Sequence, residues 1–228
     1  MYSMQGIVRK SVSNVTTQFE KLGYVANNLA NMNTKGYKTV TFEQMLNEDG
    51  YLTGAIRTKT RQGSIQVTSN PYVVAIDGTG YIPVVSPEGE VAYTRDGAFK
   101  QGKDGYLVTT DDWIVGEGIK IPANCYKFEI KPNGEVYSYD AANTKPKKLG
   151  TIPLVRFASQ ENLEQRGMNK LVATADSGDP MLVRNHNCFC QNNIENSNTN
   201  IYSSTSDMLR LNASLLAGTR MLKCVDDM

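Results

Sequence analysis

The chain predicts an α+β fold: N- and C-terminal helices pairing as a coiled coil, with an irregular antiparallel β-rich central domain. Two observations carry that prediction. Residues 4, 8, 11, 15, 18, 22, 25 and 29 hold Met4, Val8, Ser11, Val15, Gln18, Leu22, Val25 and Leu29, a 4-3 spacing that is apolar at six of eight positions. Residues 204, 208, 211, 215, 218, 222 and 225 hold Ser204, Met208, Leu211, Leu215, Gly218, Leu222 and Val225, apolar at five of seven. Such a repeat is a coiled-coil seam. Between these segments the turn pairs Asp77-Gly78, Glu88-Gly89, Asp96-Gly97, Asp104-Gly105 and Asn133-Gly134 punctuate short runs rich in strand formers, the pattern of successive hairpins. A helix leaves such a stripe in water only at the cost of large apolar exposure, so the two ends pair with each other, with other copies, or with both.

In chain order, the seam spacing predicts a helix from Tyr2 to Leu29. It stops in Ala30-Asn31-Met32-Asn33-Thr34-Lys35-Gly36, where Asn and Gly tolerate the left-handed backbone that turns a chain out of a helix. An extended arm follows over Tyr37 to Thr41, then a short helical turn over Phe42 to Leu46. From Arg57 the pattern is β: Ser64 to Thr68, Tyr72 to Ile76, Tyr81 to Val85, Val91 to Thr94, Leu107 to Thr109, Trp113 to Val115, Phe128 to Ile130 and Glu135 to Tyr139. The expected division is residues 1–61 as N-terminal helix and arm, 62–185 as β-rich domain, and 186–228 as return segment and C-terminal helix. Ordering the ends costs roughly 1 to 2 kcal/mol per residue, so they are expected to fold on assembly.

Composition narrows the function classes. With 24 Lys+Arg against 23 Asp+Glu the net charge is +1 over 228 residues, and no basic face points to nucleic acid. No run of about eighteen apolar residues predicts membrane insertion, and the opening MYSMQGIVRKSVSN lacks the apolar stretch and cleavage site of a cleaved signal peptide.

Nothing predicts catalysis or a cofactor. His186-Asn187-Cys188-Phe189-Cys190 supplies three soft ligands, but a tetrahedral zinc site needs a fourth and none stands at a familiar spacing. In a strand Cys188 and Cys190 share a face, so sheet-facing thiols are expected. Asp77-Gly78-Thr79-Gly80-Tyr81 lacks the third glycine of a dinucleotide loop, because Pro83 occupies its place, and it lacks the Lys-Ser/Thr pair of a P-loop. Asp104, Asp111, Asp112 and Glu117 depart from the spacing of a calcium loop and read as solvated turn acids. A single histidine leaves no separate base for a nucleophile. Arg95-Asp96 reads as an ordinary hairpin turn.

The residues carry a resemblance. Ala26-Asn27-Asn28-Leu29-Ala30-Asn31-Met32-Asn33-Thr34-Lys35-Gly36-Tyr37-Lys38 resembles the ANNLAN-x-x-T-x-G-[FY]-[KR] signature of the bacterial flagellar basal-body rod and hook family. Val74 to Tyr81 is similar to its strand-glycine segment, and Ala92 to Phe99 to its YTRDG-x-F segment, followed by Asp104 to Thr109 and Ile119 to Pro122. Leu163 to Asn169 resembles L-x-x-x-G-x-N, and Glu195 to Asn200 resembles E-x-S-N-V-N ahead of the last helix. Two departures stand out. Leu211-Asn212-Ala213-Ser214-Leu215-Leu216 and Gly218 replace an aromatic, acidic segment, and the stretch from Leu46 to Arg57 is short, which favours a proximal-rod type over a distal one.

The resemblance implies a non-enzymatic structural rod subunit that polymerises through its terminal helices into a hollow, torque-transmitting shaft, with the β-domain decorating the outside. Its assembly interface is expected at Val15, Leu22, Val25, Asn27, Asn28, Leu29, Asn31, Gly36, Met208, Leu211, Leu215 and Leu222. The implied partners are other copies of the chain, neighbouring rod, hook and bushing-ring proteins, and the flagellar export apparatus. The implied location is the periplasmic portion of the basal body in the cell envelope. A secreted β-rich binding module with helical anchors and a hook subunit of the same family are the alternatives.

Overall fold

The computed structural model describes residues 4–48, 51–140, 145–167 and 169–226. Tyr2 and Met168 of the sequence reading lie outside the described residues, as do the side chains of Met4, Leu222 and Val225. The chain forms two compact units: Met1–Asn33, Lys38–Lys59 and Thr199–Met228 make the first, and Thr34–Tyr37 with Thr60–Asn198 make the second.

The first unit holds α1 (Met4–Ala30), the hairpin strands β1 (Val40–Leu46) and β2 (Leu52–Thr58), and α2 (Ile201–Asp226). The two helices pack together. Seam positions turn inward: Val25, Leu211 and Leu215 are buried, and Val8, Val15, Leu22, Leu29 and Met208 are half-buried. Gly218 marks a close approach, since a Cβ there would lie 3.0 Å from Val15 Cγ2. The hairpin runs in register from Val40 opposite Thr58 to Leu46 opposite Leu52. Along α1, Phe42 stacks on Tyr24 at 5.6 Å and Lys10 Nζ sits 5.8 Å from the Tyr51 ring centre. The helical turn expected over Phe42 to Leu46 is therefore a strand. Val40, Thr41 and Phe42 favour extended backbone, and Leu52–Thr58 completes their hydrogen bonds.

The second unit is β-rich. Its strands are β3 (Ile65–Val67), β4 (Val74–Ile76), β5 (Ile82–Val85), β6 (Val91–Thr94), β7 (Lys100–Gln101), β8 (Leu107–Val108), β9 (Ile114–Val115), β10 (Cys125–Ile130), β11 (Glu135–Asp140), β12 (Lys147–Thr151), β13 (Val155–Arg156), β14 (Glu164–Gln165), β15 (Lys170–Val172), β16 (Met181–Leu182), β17 (Phe189–Gln191) and β18 (Asn193–Glu195). A seven-stranded antiparallel sheet in the order β14-β15-β6-β5-β9-β8-β7 lies with a three-stranded sheet β10-β11-β12 and the pairs β13-β16, β17-β4 and β18-β3. Ile76, Ile82, Val84, Leu107, Val115, Phe128, Val136 and Phe189 belong to one continuous core, while Tyr81, Tyr93, Val155, Phe157 and Leu163 form a smaller one. Residues 186–198, grouped in the sequence reading with the C-terminal helix, belong to this unit. Their strands β17 and β18 pair antiparallel with β4 and β3, and Phe189 enters the core.

Four of the five turn pairs use glycine for its backbone freedom, with φ of +124° at Gly78, +90° at Gly89, +81° at Gly105 and +85° at Gly134. Gly97 is different. Its place is set by proximity, because a Cβ there would stand 1.6 Å from the Val74 carbonyl oxygen. The expected solvated acids also divide. Asp112 pairs with Lys100 at 2.9 Å near the surface, whereas Asp111 accepts from Thr109 Oγ1 at 2.7 Å and from the buried Lys170 ammonium, whose Nζ lies 4.7 Å from the Trp113 ring centre. Burial raises the Asp111 pKa, but the hydrogen bonds from Lys170 and Thr109 outweigh it and hold the carboxyl below its ordinary range.

Gly97→Ala must push β4 from the loop after β6, and we expect a loss of about 3 kcal/mol or more in denaturant unfolding; wild-type stability would refute the close approach. Because the Asp111 pKa is depressed on folding, its contribution is present above the ordinary Asp value of about 4 and is lost as pH falls through the lower folded value. The stability gap between the wild type and Asp111→Asn should therefore be full at neutral pH and close in acid. A gap that widens in acid would contradict the pairing.

Candidate assembly interface

Five separate segments of the second unit meet at one buried ion pair. Arg95, just after β6, is 6 % exposed, and Glu195, at the end of β18, is 1 % exposed. Arg95 Nε and Nη2 both donate to Glu195 Oε2, at 2.9 and 2.8 Å. Its remaining donors reach the carbonyls of the glycine turn: Nη1 to Gly80 at 2.8 Å, and Nη2 to Gly78 at 2.9 Å and Ile76 at 3.2 Å. Glu195 Oε1 accepts from the Gly63 backbone N–H at 2.9 Å, and the Glu195 carbonyl accepts from Gly36 N–H at 2.8 Å. Gly36, at φ +69°, lies so close that a Cβ would be 2.8 Å from the Arg95 carbonyl carbon and the Asp96 nitrogen. Only glycine satisfies both conditions there.

Arg95, expected in an ordinary turn with Asp96, is instead the hub of this centre. The signal was present in the motifs themselves, since Arg95, Glu195, Gly36 and the Gly78–Gly80 turn each sit inside a segment that carried the resemblance.

The expected interface residues divide into three groups. Val15, Leu22, Val25, Leu29, Met208, Leu211 and Leu215 face inward within the first unit. Asn28 is buried and turned to its own chain: its Nδ2 donates to the Val40 carbonyl at 2.7 Å and its Oδ1 accepts from Val40 N–H at 2.9 Å, so one side chain replaces a strand partner for β1. Asn31 Nδ2 donates to the Asn27 carbonyl and Oδ1, both at 2.9 Å, capping the end of α1; Asn27 itself is exposed. Gly36 belongs to the Arg95 centre, and the Leu222 side chain lies outside the described residues.

At the cysteine cluster, Cys188 Sγ stands 3.6 Å from His186 Nδ1. Burial raises the Cys188 and Cys190 thiols and lowers the His186 imidazole, the opposite of the shifts that make an activated thiolate–imidazolium pair. Cys190 pairs with Ala75 across β17 and β4. Among the described residues no three His, Cys, Asp or Glu side chains converge to hold a metal ion.

Removing one member of a buried pair leaves an uncompensated charge, so Arg95→Met should cost about 3 to 5 kcal/mol. The double variant Arg95→Met, Glu195→Leu should cost clearly less than the sum of the two single variants in a double-mutant cycle. Strict additivity would show that the two side chains do not act as a unit.

A family described as flagella basal body rod protein matches residues 16–38, which cover the end of α1 and the Gly36 turn. The flagellar hook protein FlgE/F/G D1 domain matches residues 75–138, from β4 into β11. The flagellar basal-body rod protein FlgG of Caulobacter vibrioides is 28 % identical, over 97 % of this chain and 95 % of that one. The FlgG of Bacillus subtilis is 33 % identical over 69 % of each, and the flagellar hook protein FlgE of Brucella abortus is 35 % identical over 51 % of this chain and 32 % of its own length. With both the helix-and-turn element and the β-unit matched, and a relative at this identity covered over two thirds of its length, the chain belongs to the family of flagellar basal-body rod and hook proteins.

Proposed function

We propose that the chain is a structural subunit of the flagellar basal-body rod, that its terminal helices form a coiled-coil pair, and that this pair is the element through which copies polymerise into a hollow shaft. One observation carries the proposal: the two ends of the chain join in one unit that buries its inner seam and leaves large apolar side chains of the same helices in solvent, Tyr202 at 88 % exposure among them. An isolated soluble domain rarely exposes so much of a helix. The matched rod and hook relatives support the same assignment, and the match to FlgG over nearly the whole chain favours a rod subunit over a hook subunit.

On this proposal the partners are other copies and the rod, hook and bushing-ring proteins beside them, and the chain reaches its place through the flagellar export apparatus, in the periplasmic portion of the basal body. Among the described residues no helix is long and apolar enough to cross a membrane. A shaft needs no catalytic step, and stiffness comes from buried contact area between copies. The division into rod-forming ends and an outer β-domain follows from the same proposal.

In the monomer, α2 has only Ser204, Leu211 and Leu215 buried among its described side chains, so its opening costs little. Trypsin should therefore cut the monomer after Arg210 or Arg220 well before the β-rich unit, and assembly should protect those sites. Termini as resistant as residues 62–185 would sink coupled ordering and assembly. Leu29→Asp puts a charge into the seam at a cost of several kcal/mol; polymer formation and motility should fail while the β-rich unit keeps its melting transition. A motile mutant would contradict the seam's role.

A further inference from the structure

Lys170, the first residue of β15, is 3 % exposed, and its ammonium meets the Asp111 carboxylate 59 residues away in sequence. Rigid surroundings hold the two together. Lys170 is paired with Thr94 of β6. Asp111 sits in the β8–β9 turn, which is closed by Thr109 N–H donating to the Trp113 carbonyl at 2.8 Å and by Trp113 N–H donating to Thr109 Oγ1 at 3.1 Å. Trp113 packs against the main core, and its ring covers Lys170 Nζ at 4.7 Å.

Burial and an amine occur together at this pair. Lys100 and Lys148, which pair with Asp112 and Glu135, are 47 and 49 % exposed. In the buried Arg95–Glu195 pair the cation is a guanidinium, which does not give up its proton; an amine can. The two oxygens of Asp111 are also held differently. Thr109 Oγ1 donates to Oδ1 at 2.7 Å, while Nζ meets Oδ2. An acyl transfer needs these two things, a donor for the oxyanion and a nucleophile against the carboxyl group.

We propose that Lys170 and Asp111 condense into an intramolecular isopeptide bond, which makes this pair a site of self-modification. Nζ gives up two protons and forms a bond to Asp111 Cγ. The negative charge that develops on Oδ1 is held by the Thr109 hydroxyl. Oδ2 takes both protons, its bond to Cγ breaks, and one water leaves. Ammonium and carboxylate thus become amide and water, with no oxidant, reductant or outside group. Two separate molecules in water do not condense readily, but groups held in contact react with effective molarities of about 10⁵ to 10⁸ M. In the sheet order β15-β6-β5-β9-β8, the bond ties β15 to the turn joining β8 and β9 across two intervening strands. The acid dependence of the ion pair belongs to the chain before this step, because the amide has no proton to gain.

The test is the mass of the full-length protein, freshly purified and again after storage at neutral pH. The condensed chain should be about 18 Da lighter than its sequence, one water lost. Trypsin should leave Lys170 uncut and release residues 104–120 joined to residues 167–184 as one branched peptide. Lys170→Arg keeps a cation for Asp111 but has no amine, so it should show the full mass, no branched peptide and a lower melting temperature. The wild-type mass is decisive even where that variant fails to fold. Wild-type protein at full mass in both samples, with ordinary cleavage after Lys170, overturns the bond and leaves the ion pair and the rod reading standing. A lighter chain in which residues 104–120 alone have lost the water overturns it too, since that places a succinimide at Asp111 and no cross-link.

Discussion

The second unit is organised around a buried guanidinium, that of Arg95. Arg95 presents five donors in a rigid planar fork, and the fold answers with Glu195 on one side and the carbonyls of Ile76, Gly78 and Gly80 on the other. A lysine has no such fork and cannot reach the same acceptors together. Arg95 supplies donors to the carbonyls of Gly78 and Gly80, and Arg156 Nε donates to that of Thr79 between them at 3.0 Å. Burying two charges yields little net stability compared with an apolar core of the same volume. What the pair supplies is position: Gly36, Gly63, the Gly78–Gly80 turn, the end of β6 and the end of β18 have one arrangement in which every polar atom is matched.

The first unit obeys a different constraint. A helix with apolar side chains on two faces can satisfy only one of them with a single partner. The inner seam is used within the chain, and Asn28 ties the end of α1 to β1 by pairing with both backbone groups of Val40. The hairpin packs along α1 through Tyr24, Phe42 and Tyr51. Large apolar side chains on the same helices, Phe19, Tyr202 and Leu209 among them, stay exposed, and these are what the proposed assembly would cover.

Much of this was legible beforehand because it repeats with a period. The two helices follow from their 4-3 spacing, and eight of the strands from alternating β-formers between glycine turns. The remaining strands are mostly two or three residues long, and several are held by partners far away in sequence, as in Phe189–Gln191 against Val74–Ile76, so no local pattern announces them. The hairpin of β1 and β2 was half hidden: Phe42 to Leu46 reads equally well as a helical turn until Leu52–Thr58 is seen opposite. The Arg95 centre was visible only as motifs, since an ion pair 100 residues apart in sequence leaves no mark on either local stretch. Asn28 was singled out for a contact with other copies, yet its geometry serves its own chain, because an amide carries a donor and an acceptor and the first strand needed both.

The central claim is that the terminal unit becomes ordered and buried when copies assemble, with the β-rich unit already complete in the monomer. Amide hydrogen exchange on the full-length protein before and after polymerisation measures this segment by segment. The account predicts that amides of Met4–Ala30 and Ile201–Asp226 exchange readily in the monomer and slow markedly in the polymer, while those of Val74–Ile76, Ile82–Val85 and Val91–Thr94 are slow in both. A polymer whose terminal helices exchange as fast as in the monomer, with new protection confined to the β-rich unit, would contradict it.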